Sequence, residues 1–469
     1  MNTLVMKFGG SSIGTTTALP QVLSIVLHER EQWGHLVLVV SALEGVTDAL
    51  IEAAHLAELG QHRGYRRIVA NLRTRHLSLI EELPLGTTER TALSADIDRL
   101  LFDMLDIYQS MSQAASMTGQ AGIVDATIGV GEKIAARIIA ALLRQNNLRS
   151  VAIDTTSLII TDDVYGNATP NIPLTRVQIA ENLLPLLDRN IVPVVTGFIG
   201  ATSSGKPTTL GRGGSDYTAS VLGVCVEATE IWIWTDVDGM MTADPRDFDN
   251  AQVIPALSYT EAAELAYFGA RVLHARMIAP VQAQKIPLHI KNVYKPQKVG
   301  TIISGENPRK EDRIKAVTYI SGLVVQTKQS GMSAHISAIL EQTLASVPNS
   351  QLDIVISSQS SMKGLTCFLI PTTAGPDAVH TMRVALEAVL AGKPETQSWS
   401  VQPVTIITAI KNASSSTTQM MAKILSKLTS VPIIAVTQGP SDCNFSIVVE
   451  SLYAENAIYE IHDLIVNNG

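Results

Sequence analysis

Short β-rich runs that alternate with longer helical patterns are the feature that most limits the folds open to this chain of 469 residues. Two such runs lie at residues 4–8 and 36–41, and a helical pattern at 18–31 separates them. The alternation returns later, with strands predicted at 150–154, 191–196 and 230–235, and with helices near 175–189 and from 215 onward. Strands joined through helices pack as a largely parallel sheet with helices on both faces. We therefore predict an α/β fold in which helices sandwich a parallel sheet.

The stretch between the two series of strands, roughly residues 48–145, is predicted to be nearly all helical. Within it, apolar residues from 87 to 117 recur at helical spacing and predict either one long helix or two. The simplest interpretation is a helical subdomain inserted into the sheet domain.

The chain changes character at residues 304–313, which are polar, charged and contain Pro and Gly, and therefore predict a linker. Beyond it, the series strand, helix, strand, strand, helix occurs twice, at 323–390 and at 404–466. Such a repeat predicts two ferredoxin-like βαββαβ units, each with helices on one face of an antiparallel sheet. These units lack clustered acids, bases or metal ligands, which favours a binding or assembly role. The predicted bounds are 1–303 for the first domain, 304–313 for the linker, and 314–399 and 400–469 for the two units.

The composition argues against several kinds of partner. The formal net charge is −8, whereas a nucleic-acid-binding domain needs excess positive charge, so no nucleic acid is expected. No run of about 20 uncharged apolar residues could span a bilayer, so no membrane is expected either. The three cysteines, Cys225, Cys367 and Cys443, are too far apart for metal-ligand pairs and are odd in number, which favours a reducing compartment. We expect a cytoplasmic protein.

The most informative motif is Gly211-Arg212-Gly213-Gly214-Ser215-Asp216, which precedes an apolar helical run. Arg212 could bind a carboxylate through two hydrogen bonds, and Asp216 could receive an ammonium. An acidic amino acid carries both groups. The alternative is a capping turn, in which Ser215 is the N-cap of the helix and Asp216 lies in its first turn.

A second motif, Lys7-Phe8-Gly9-Gly10-Ser11-Ser12, connects the first strand to the first helix. Ligands of open α/β sheets bind at this carboxyl edge. Lys7 could neutralise phosphate charge, and the backbone N–H groups around Gly9, Gly10 and Ser11 could surround phosphate oxygens. The alternative is a lysine at a strand end followed by a mobile turn.

A third candidate region begins at Thr235 and Asp236, at the end of a predicted strand, and continues to Arg246. It predicts a nucleotide pocket, with the hydroxyl and carboxylate near sugar or base and the guanidinium near phosphates. The alternative is a polar surface loop with a turn at Asp244-Pro245.

Ser41, Thr47 and Glu132 add hydroxyls and a carboxylate near other strand or helix ends, although Glu132 could equally be an acid in the first turn of a helix. Residues 200–206 have the spacing of a phosphate-binding loop. Pro207 stands where that loop needs a Ser or Thr, so we predict a Gly/Ser-rich hairpin there instead.

Seven separated motifs together resemble the aspartate kinase family over residues 1 to about 303. They are Lys7 to Ser12, Ser41-Ala42 with Thr47, Gly131-Glu132, Gly211 to Asp216, Trp234 to Gly239, Thr242 to Arg246, and Phe268-Gly269-Ala270-Arg271-Val272-Leu273-His274. The two C-terminal units resemble the ACT domains of the same family. The resemblance implies an amino-acid-kinase fold and ATP-dependent, Mg²⁺-assisted phosphorylation of the L-aspartate side-chain carboxylate to 4-phospho-L-aspartate. This is the first step toward lysine, threonine and methionine.

The resemblance also implies a role for each matching residue, and no residue is assigned to a metal. The catalytic residues it implies are Lys7 and Asp216. The substrate-binding residues are Ser41, Thr47, Glu132, Arg212 and Ser215. The nucleotide-binding residues are Lys7, Gly9, Gly10, Ser11, Thr235, Asp236, Arg246 and Arg271.

Three departures from the family pattern qualify what is carried over. Ser11 stands where Thr is more common, and Arg271 stands where Lys is common. Residues 328–333 lack the Asp and Pro expected before the first helix of an ACT domain. We therefore expect weakened or altered feedback by lysine, threonine or methionine, in a homodimer or larger homo-oligomer assembled through the ACT units. An equally weighted alternative is that these units serve assembly alone.

Two other functions remain open on the residues. One is a different carboxylate kinase of the same fold, such as one acting on an N-acylated acidic amino acid. The other is an inactive amino-acid sensor built on ACT-like units. Glu132 and Asp216 favour a substrate with a free ammonium, and Lys7 with Arg212 favours an active kinase.

Overall fold

The computed structural model describes residues 2–113, 121–270, 272–305, 313–327, 333–347, 352–360, 364–371, 378–391, 399–412, 416–439 and 441–467. They form two compact units. Unit 1 comprises the described residues within Met1–Met240, Pro255–Tyr259 and Val272–Glu306, and unit 2 those within Met241–Ile254, Thr260–Arg271 and Asn307–Gly469. The sequence placed all of 1–303 in one domain, whereas two segments inside that range cluster with unit 2.

The strands of unit 1 are β1 (Thr3–Phe8), β2 (His35–Val40), β3 (Ser150–Ile153), β4 (Ile160–Thr161), β5 (Val192–Thr196), β6 (Ile199–Thr202), β7 (Pro207–Thr209), β8 (Glu230–Thr235), β9 (Ala256–Ser258), β10 (Leu288–Asn292) and β11 (Thr301–Ser304). Its helices are α1 (Gly10–Ile13), α2 (Ala18–Gln32), α3 (Val46–Glu58), α4 (His62–Glu82), α5 (Thr87–Gln113), α6 (Ala121–Ile128), α7 (Val130–Gln145), α8 (Ile172–Asn182), α9 (Leu184–Asp188), α10 (Gly214–Cys225) and α12 (Ile278–Gln284); α11 (Tyr259–Tyr267) begins in unit 1 and continues into unit 2.

The main sheet of unit 1 has the strand order β3-β5-β2-β1-β8-β10-β11-β9. Every neighbouring pair from β3 to β10 is parallel, while β11 runs antiparallel to β10. β2 is apolar and buried along nearly its whole length, because a parallel sheet is covered on both faces. The predicted α/β fold with a largely parallel sheet is therefore confirmed. Its topology brings the carboxyl ends of β2, β1 and β8 side by side.

The helical region predicted at 48–145 is present as α3 to α7. Residues 87–113 form one helix, α5, while residues 114–117 of the same prediction lie outside the described residues. Its buried residues recur three or four positions apart, from Leu93 to Met111, and so lie on one face. Tyr108 lies on that face and donates a hydrogen bond to Leu50 O across the subdomain, at 3.1 Å.

The Gly/Ser-rich segment at 200–206 is a hairpin, as predicted. β6 and β7 pair antiparallel, with Ala201 opposite Pro207. Gly205 in the turn has a φ of 80°, which L-residues other than glycine rarely adopt.

Unit 2 contains β12 (Ile314–Thr327), α13 (Ser333–Ser346), β13 (Leu352–Ser360), β14 (Gly364–Pro371), α14 (Ala378–Ala391), β15 (Trp399–Lys411), α15 (Thr417–Lys427), β16 (Ile433–Gln438), β17 (Asn444–Glu450) and α16 (Ala454–Asn467). These elements follow the predicted double repeat. Residues 328–332, which carry most of the altered ACT turn, lie outside the described residues.

The strands of unit 2 form one antiparallel sheet with the order β13-β14-β12-β15-β17-β16. β12 and β15 pair along nearly their full lengths, but β14 pairs with only Leu323 to Gln326 of β12, and β17 with only Val404 to Ile410 of β15. Both long strands therefore take part in both ferredoxin-like halves. The first part of β12 belongs to the ferredoxin-like half whose other strands, β15, β17 and β16, come later in the chain. The two ferredoxin-like halves are therefore not simply consecutive segments of the sequence.

Specific contacts explain why segments from 241–254 and 260–271 belong with unit 2. The backbone N–H of Val317 donates to Thr242 O at 2.8 Å. The buried Lys315 forms an ion pair with Glu261 at 2.8 Å, and Phe268 packs against Val324 within the core of the sheet. These partners are distant in sequence, so the grouping is not visible in local patterns.

In the part of the chain that the structure describes, no helix is long and apolar enough to cross a membrane.

Candidate active site

Lys7 and Asp216 meet at the carboxyl edge of the main sheet. Neighbouring residues of a strand point to opposite faces. Phe8 stacks on Trp234, with ring centroids 6.1 Å apart, so Lys7 points to the other face, where α10 packs. There Lys7 Nζ lies 2.6 Å from Asp216 Oδ1, and the two side chains are only 12% and 11% exposed. The two residues predicted to be catalytic are thus in direct contact.

The start of α10 depends on a left-handed glycine. Gly213 has a φ of 68° and is the N-cap residue, and no side chain caps the helix, so the alternative in which Ser215 is the N-cap is wrong. The physical reason is space as well as conformation: a Cβ on Gly213 would lie 2.2 Å from His274 Cβ. Asp216 lies in the first turn of α10, where the helix dipole favours a negative charge.

Glu132 lies in the first turn of α7 and is 3% exposed. Gly131 allows the helix to approach closely, because a Cβ there would lie 2.7 Å from Ala42 Cβ. Burial raises the pKa of Glu132 to about 7, although its carboxylate accepts hydrogen bonds from the backbone N–H groups of Ala42 and of Glu132 itself. Among the described residues, Glu132 Oε2 has no hydrogen-bond partner. A buried carboxylate oxygen without a partner is better explained as an acceptor for a cationic ligand group than as part of an ordinary exposed acid in the first turn of a helix.

Some backbone N–H groups of the predicted phosphate loop already donate hydrogen bonds to carbonyl groups of the protein. The backbone N–H of Gly9 donates to Trp234 O at 3.3 Å, and the N–H of Ser12 donates to Gly9 O at 3.0 Å. Gly10 and Ser11 open the short helix α1. Gly10 is required by a close approach, since a Cβ there would lie 2.7 Å from Ala42 O.

The hydroxyl residues predicted for the substrate occupy neighbouring positions at this edge. Ser41 directly follows β2 and is half-buried, and its N–H donates to Phe8 O at 3.2 Å. Thr47 is half-buried in the first turn of α3, and Ser215 is buried in the first turn of α10. Arg212 is exposed on the turn before α10.

Thr235 and Asp236 end β8 at the same edge, where Thr235 Oγ1 donates to Asp236 Oδ1 at 3.1 Å. Nearby, Asp238 binds Lys298 at 2.8 Å and Lys295 at 3.1 Å, and these hydrogen bonds lower the pKa of Asp238 to about 2. Neither lysine belongs to a motif singled out from the sequence. Both lysines follow β10, which runs parallel to β8 and therefore ends at the same edge, and no strand was predicted there from the sequence.

Arg246 lies in unit 2 and is bound to its neighbour Asp244, with Arg246 Nε 3.0 Å from Asp244 Oδ1. The backbone N–H of Asp247 donates to Asp244 O at 3.1 Å, so the turn proposed as the alternative for this segment is present. A nucleotide role for Arg246 stays a prediction. Arg271 lies outside the described residues.

Arg276 is a third residue at this edge that was not among the residues predicted from the sequence. Its guanidinium donates to Asn167 Oδ1 at 2.5 Å, to Leu210 O at 2.8 Å and to Ala168 O at 3.2 Å. It also lies over the Tyr217 ring, 4.8 Å from the centroid. Arg276 therefore holds the backbone just before Gly211 against the start of α10, and no local motif marks it.

Comparisons with known proteins agree with this arrangement. The model of the amino acid kinase family matches residues 2–292. The bifunctional aspartokinase/homoserine dehydrogenase 1 of Arabidopsis thaliana is 28% identical over 98% of this chain. The match covers 50% of the length of that relative, so this chain spans about half of it.

The solved structures of E. coli aspartokinase III are similar along the whole chain. The R-state complex with aspartate and ADP has a TM-score of 0.82 at 25% identity, covering 99% of this chain and 100% of that one. The T-state complex with lysine and aspartate has a TM-score of 0.76 at 25% identity, covering 99% of each chain. The family match spans more than half of the chain, and the fold is the one expected, so this chain belongs to the amino acid kinase family.

Proposed function

We propose that this protein is an aspartate kinase, which transfers the γ-phosphoryl group of ATP to the side-chain carboxylate of L-aspartate and forms 4-phospho-L-aspartate and ADP. The observation that carries the proposal is the full-length similarity to E. coli aspartokinase III bound to aspartate and ADP. The contact between Lys7 and Asp216 supports it, and so does the buried carboxylate of Glu132, one oxygen of which has no partner among the described residues.

The acceptor determines which chemistry the site must supply. A carboxylate is already ionised near neutral pH, so the reaction needs no strong general base. Its difficulty is the approach of one anion to another, which requires alignment and a cation near the transferring group. Lys7 supplies that cation, and Asp216 holds its ammonium in place at 2.6 Å.

Three charged residues account for recognition of the amino acid. Glu132 Oε2, which has no partner among the described residues, receives the substrate ammonium. Asp216 is already paired with Lys7, so its main role is to orient Lys7 and its second is to add negative charge near the ammonium. Arg212 binds the α-carboxylate, and the hydroxyls of Ser41, Thr47 and Ser215 complete the pocket.

The nucleotide occupies the neighbouring part of the edge, near Gly9, Gly10, Ser11, Thr235 and Asp236, with Arg246 and Arg271 as further candidates. Magnesium enters on the phosphates of ATP. The described residues include no group of three or more His, Cys, Asp or Glu side chains placed to hold a metal ion, so we assign no residue to it.

Regulation by an amino acid and assembly into a homodimer or larger homo-oligomer belong to the same proposal. E. coli aspartokinase III was solved with lysine in its T-state. The unusual sequence at 328–333 leads us to propose weaker or altered feedback, because binding to two states with different affinity needs specific contacts. Calorimetric titration with lysine, threonine and methionine, with light scattering for the subunit count, tests this part. Tight lysine or threonine binding with strong inhibition would contradict the altered feedback. A cytoplasmic location completes the proposal.

The decisive assay is ATP-dependent formation of an acyl phosphate trapped with hydroxylamine. We expect product from aspartate but not from glutamate or N-acetylglutamate. Product from N-acetylglutamate alone would favour a different carboxylate kinase of this fold, and no product from any of them would favour an inactive sensor. Lys7→Met should lower the rate of product formation by about 10²- to 10³-fold. Lys206→Met, at an exposed lysine in the β6–β7 hairpin, should leave it unchanged.

A further inference from the structure

A cavity of about 280 Å³ lies in unit 1, away from the residues assigned to catalysis. Its wall on one side is the second half of α2, with Ser24, Ile25 and Glu29, and on the other side the segment after β10, with Pro296. Trp232, Trp234 and Lys291 line it from β8 and β10. The volume suits a molecule the size of an amino acid.

The cavity and the Lys7–Asp216 pair lie on opposite faces of the sheet. Phe8 stacks on Trp234, which lines the cavity, and Lys7 is the neighbour of Phe8 in β1 and points the other way. A ligand in this cavity therefore does not occupy the proposed phosphoryl-transfer site.

Lys291 brings a positive charge to this cavity. Its Nζ lies over two indole rings, 4.4 Å from the Trp232 centroid and 5.5 Å from the Trp234 centroid. Among the described residues, no hydrogen bond or ion pair to Lys291 Nζ is formed. Contact with two aromatic faces stabilises the ammonium but leaves its N–H donors available. Burial, opposed by Glu29 and Glu230, lowers the pKa of Lys291.

Glu29 brings the opposite charge to the same cavity. The residue is 8% exposed, and one carboxylate oxygen accepts a hydrogen bond from Trp33 Nε1 at 3.2 Å. Burial raises the pKa of Glu29, and the Trp33 hydrogen bond, His28 and Lys291 act in the other direction. Glu29 and Lys291 influence each other electrostatically, yet they are not close enough to form an ion pair.

We propose that this cavity binds a free α-amino acid, with the carboxylate on Lys291 and the ammonium on Glu29. A zwitterion satisfies both charges at once, and Ile25 and Pro296 provide apolar contact for its side chain. A phosphate-bearing ligand is disfavoured because two carboxylates, Glu29 and Glu230, lie near Lys291. An uncharged ligand would leave the buried Glu29 with only its Trp33 hydrogen bond and the half-buried Lys291 with only its aromatic contacts, so neither charge would meet an opposite charge.

Tryptophan fluorescence offers a direct readout, because three of the four tryptophans, Trp33, Trp232 and Trp234, lie in or against this cavity. The full chain is titrated with non-aromatic protein amino acids one at a time, and then with the methyl ester and the N-acetyl derivative of the best ligand. We expect a saturable change with at least one amino acid. Both derivatives should bind at least tenfold more weakly, since each removes one of the two charges.

Variants separate this site from amino acids bound elsewhere on the protein. Lys291→Met and Glu29→Gln should each weaken binding at least tenfold, whereas Lys206→Met should leave it within twofold. Ser24→Phe fills the cavity from the exposed surface of α2 and should abolish binding while both charges stay, so it decides the question if Lys291→Met does not fold. The proposal is overturned if no amino acid gives a saturable change, or if the affinity is the same in Glu29→Gln and Ser24→Phe as in the unmodified chain. Acyl-phosphate formation from aspartate is measured in parallel and should persist in these variants.

Discussion

Lys7 Nζ lies 2.6 Å from Asp216 Oδ1, and this contact joins β1, at the start of the chain, to the first turn of α10. Both side chains are nearly buried, so each charge depends on the other. The pair holds a cation at the edge of the sheet where the phosphoryl group is proposed to move.

Substitutions of Lys7 and Asp216 should affect catalysis and stability differently. Lys7→Met should lower kcat by about 10²- to 10³-fold, because a cation that stabilises transferring charge is lost. It should also lower the free energy of unfolding by roughly 3 kcal/mol, because Asp216 is left as an unpaired buried charge. The double variant Lys7→Met/Asp216→Asn should recover most of the stability and none of the activity. Urea unfolding and steady-state kinetics measure both; recovery of activity in the double variant would exclude Lys7 as the phosphate cation.

Arg212→Lys tests whether a planar fork, and not charge alone, binds the substrate carboxylate. We expect the KM for aspartate to rise about tenfold or more, with kcat/KM falling at least as far, because a lysine cannot form the paired hydrogen bonds. Arg66→Lys, on the exposed face of α4, is the matched control and should change neither value. An unchanged KM for aspartate in Arg212→Lys would remove that residue from the site.

Glu132 should make aspartate binding depend on pH. Its pKa is raised to about 7 by burial, so the ionised form that attracts the substrate ammonium becomes populated only as the pH rises through that value. The KM for aspartate should therefore increase as the pH falls from 8 to 6. In Glu132→Gln the KM should be higher and nearly independent of pH in this range. A profile in the variant that matches the unmodified enzyme would contradict the assigned role.

The same residue should reduce stability at neutral and higher pH. Between the ordinary carboxyl pKa of 4.5 and the folded value of about 7, the folded chain binds more protons at Glu132 than the unfolded chain. Its contribution to stability therefore falls as the pH rises through this window, by on the order of 3 kcal/mol. Glu132→Gln should be more stable than the unmodified chain at pH 8, with a smaller gain at pH 5. Glu52→Gln, at an exposed site on α3, should show no such difference in urea unfolding.

Alanine substitutions at two glycines with similar φ angles should distinguish the cost of backbone strain from the cost of a steric clash. Gly205, with a φ of 80°, has open space around the Cβ position, whereas a Cβ on Gly213, with a φ of 68°, would meet His274 at 2.2 Å. Gly205→Ala should cost about 1 kcal/mol from the backbone alone. Gly213→Ala should cost clearly more and should also lower activity, because the start of α10 must shift. Equal losses in thermal unfolding would show that the His274 contact is not rigid.

Local patterns predicted the elements well because they depend on residues only a few positions apart. The buried face of α5, the hairpin before Pro207 and the double repeat of unit 2 all follow from spacing within a single element or turn. The interpretation of Ser215 as an N-cap failed because the space beside His274 requires a glycine just before the helix. The cluster of Asp238 with Lys295 and Lys298 was missed because its members come from different strand ends.

The sequence by itself determined that parallel strands end in a common row of Gly, Lys, Ser and acidic residues, since the alternation of strands and helices leaves few other arrangements. Only the tertiary structure decided which charges meet. Lys7 finds Asp216, while Glu132 keeps one buried oxygen without a partner among the described residues. Periodicity in the sequence shows only which face of an element is buried. Contacts between charges depend on the strand order and on how closely glycines let the helices approach the sheet. Both are set by packing across the whole unit.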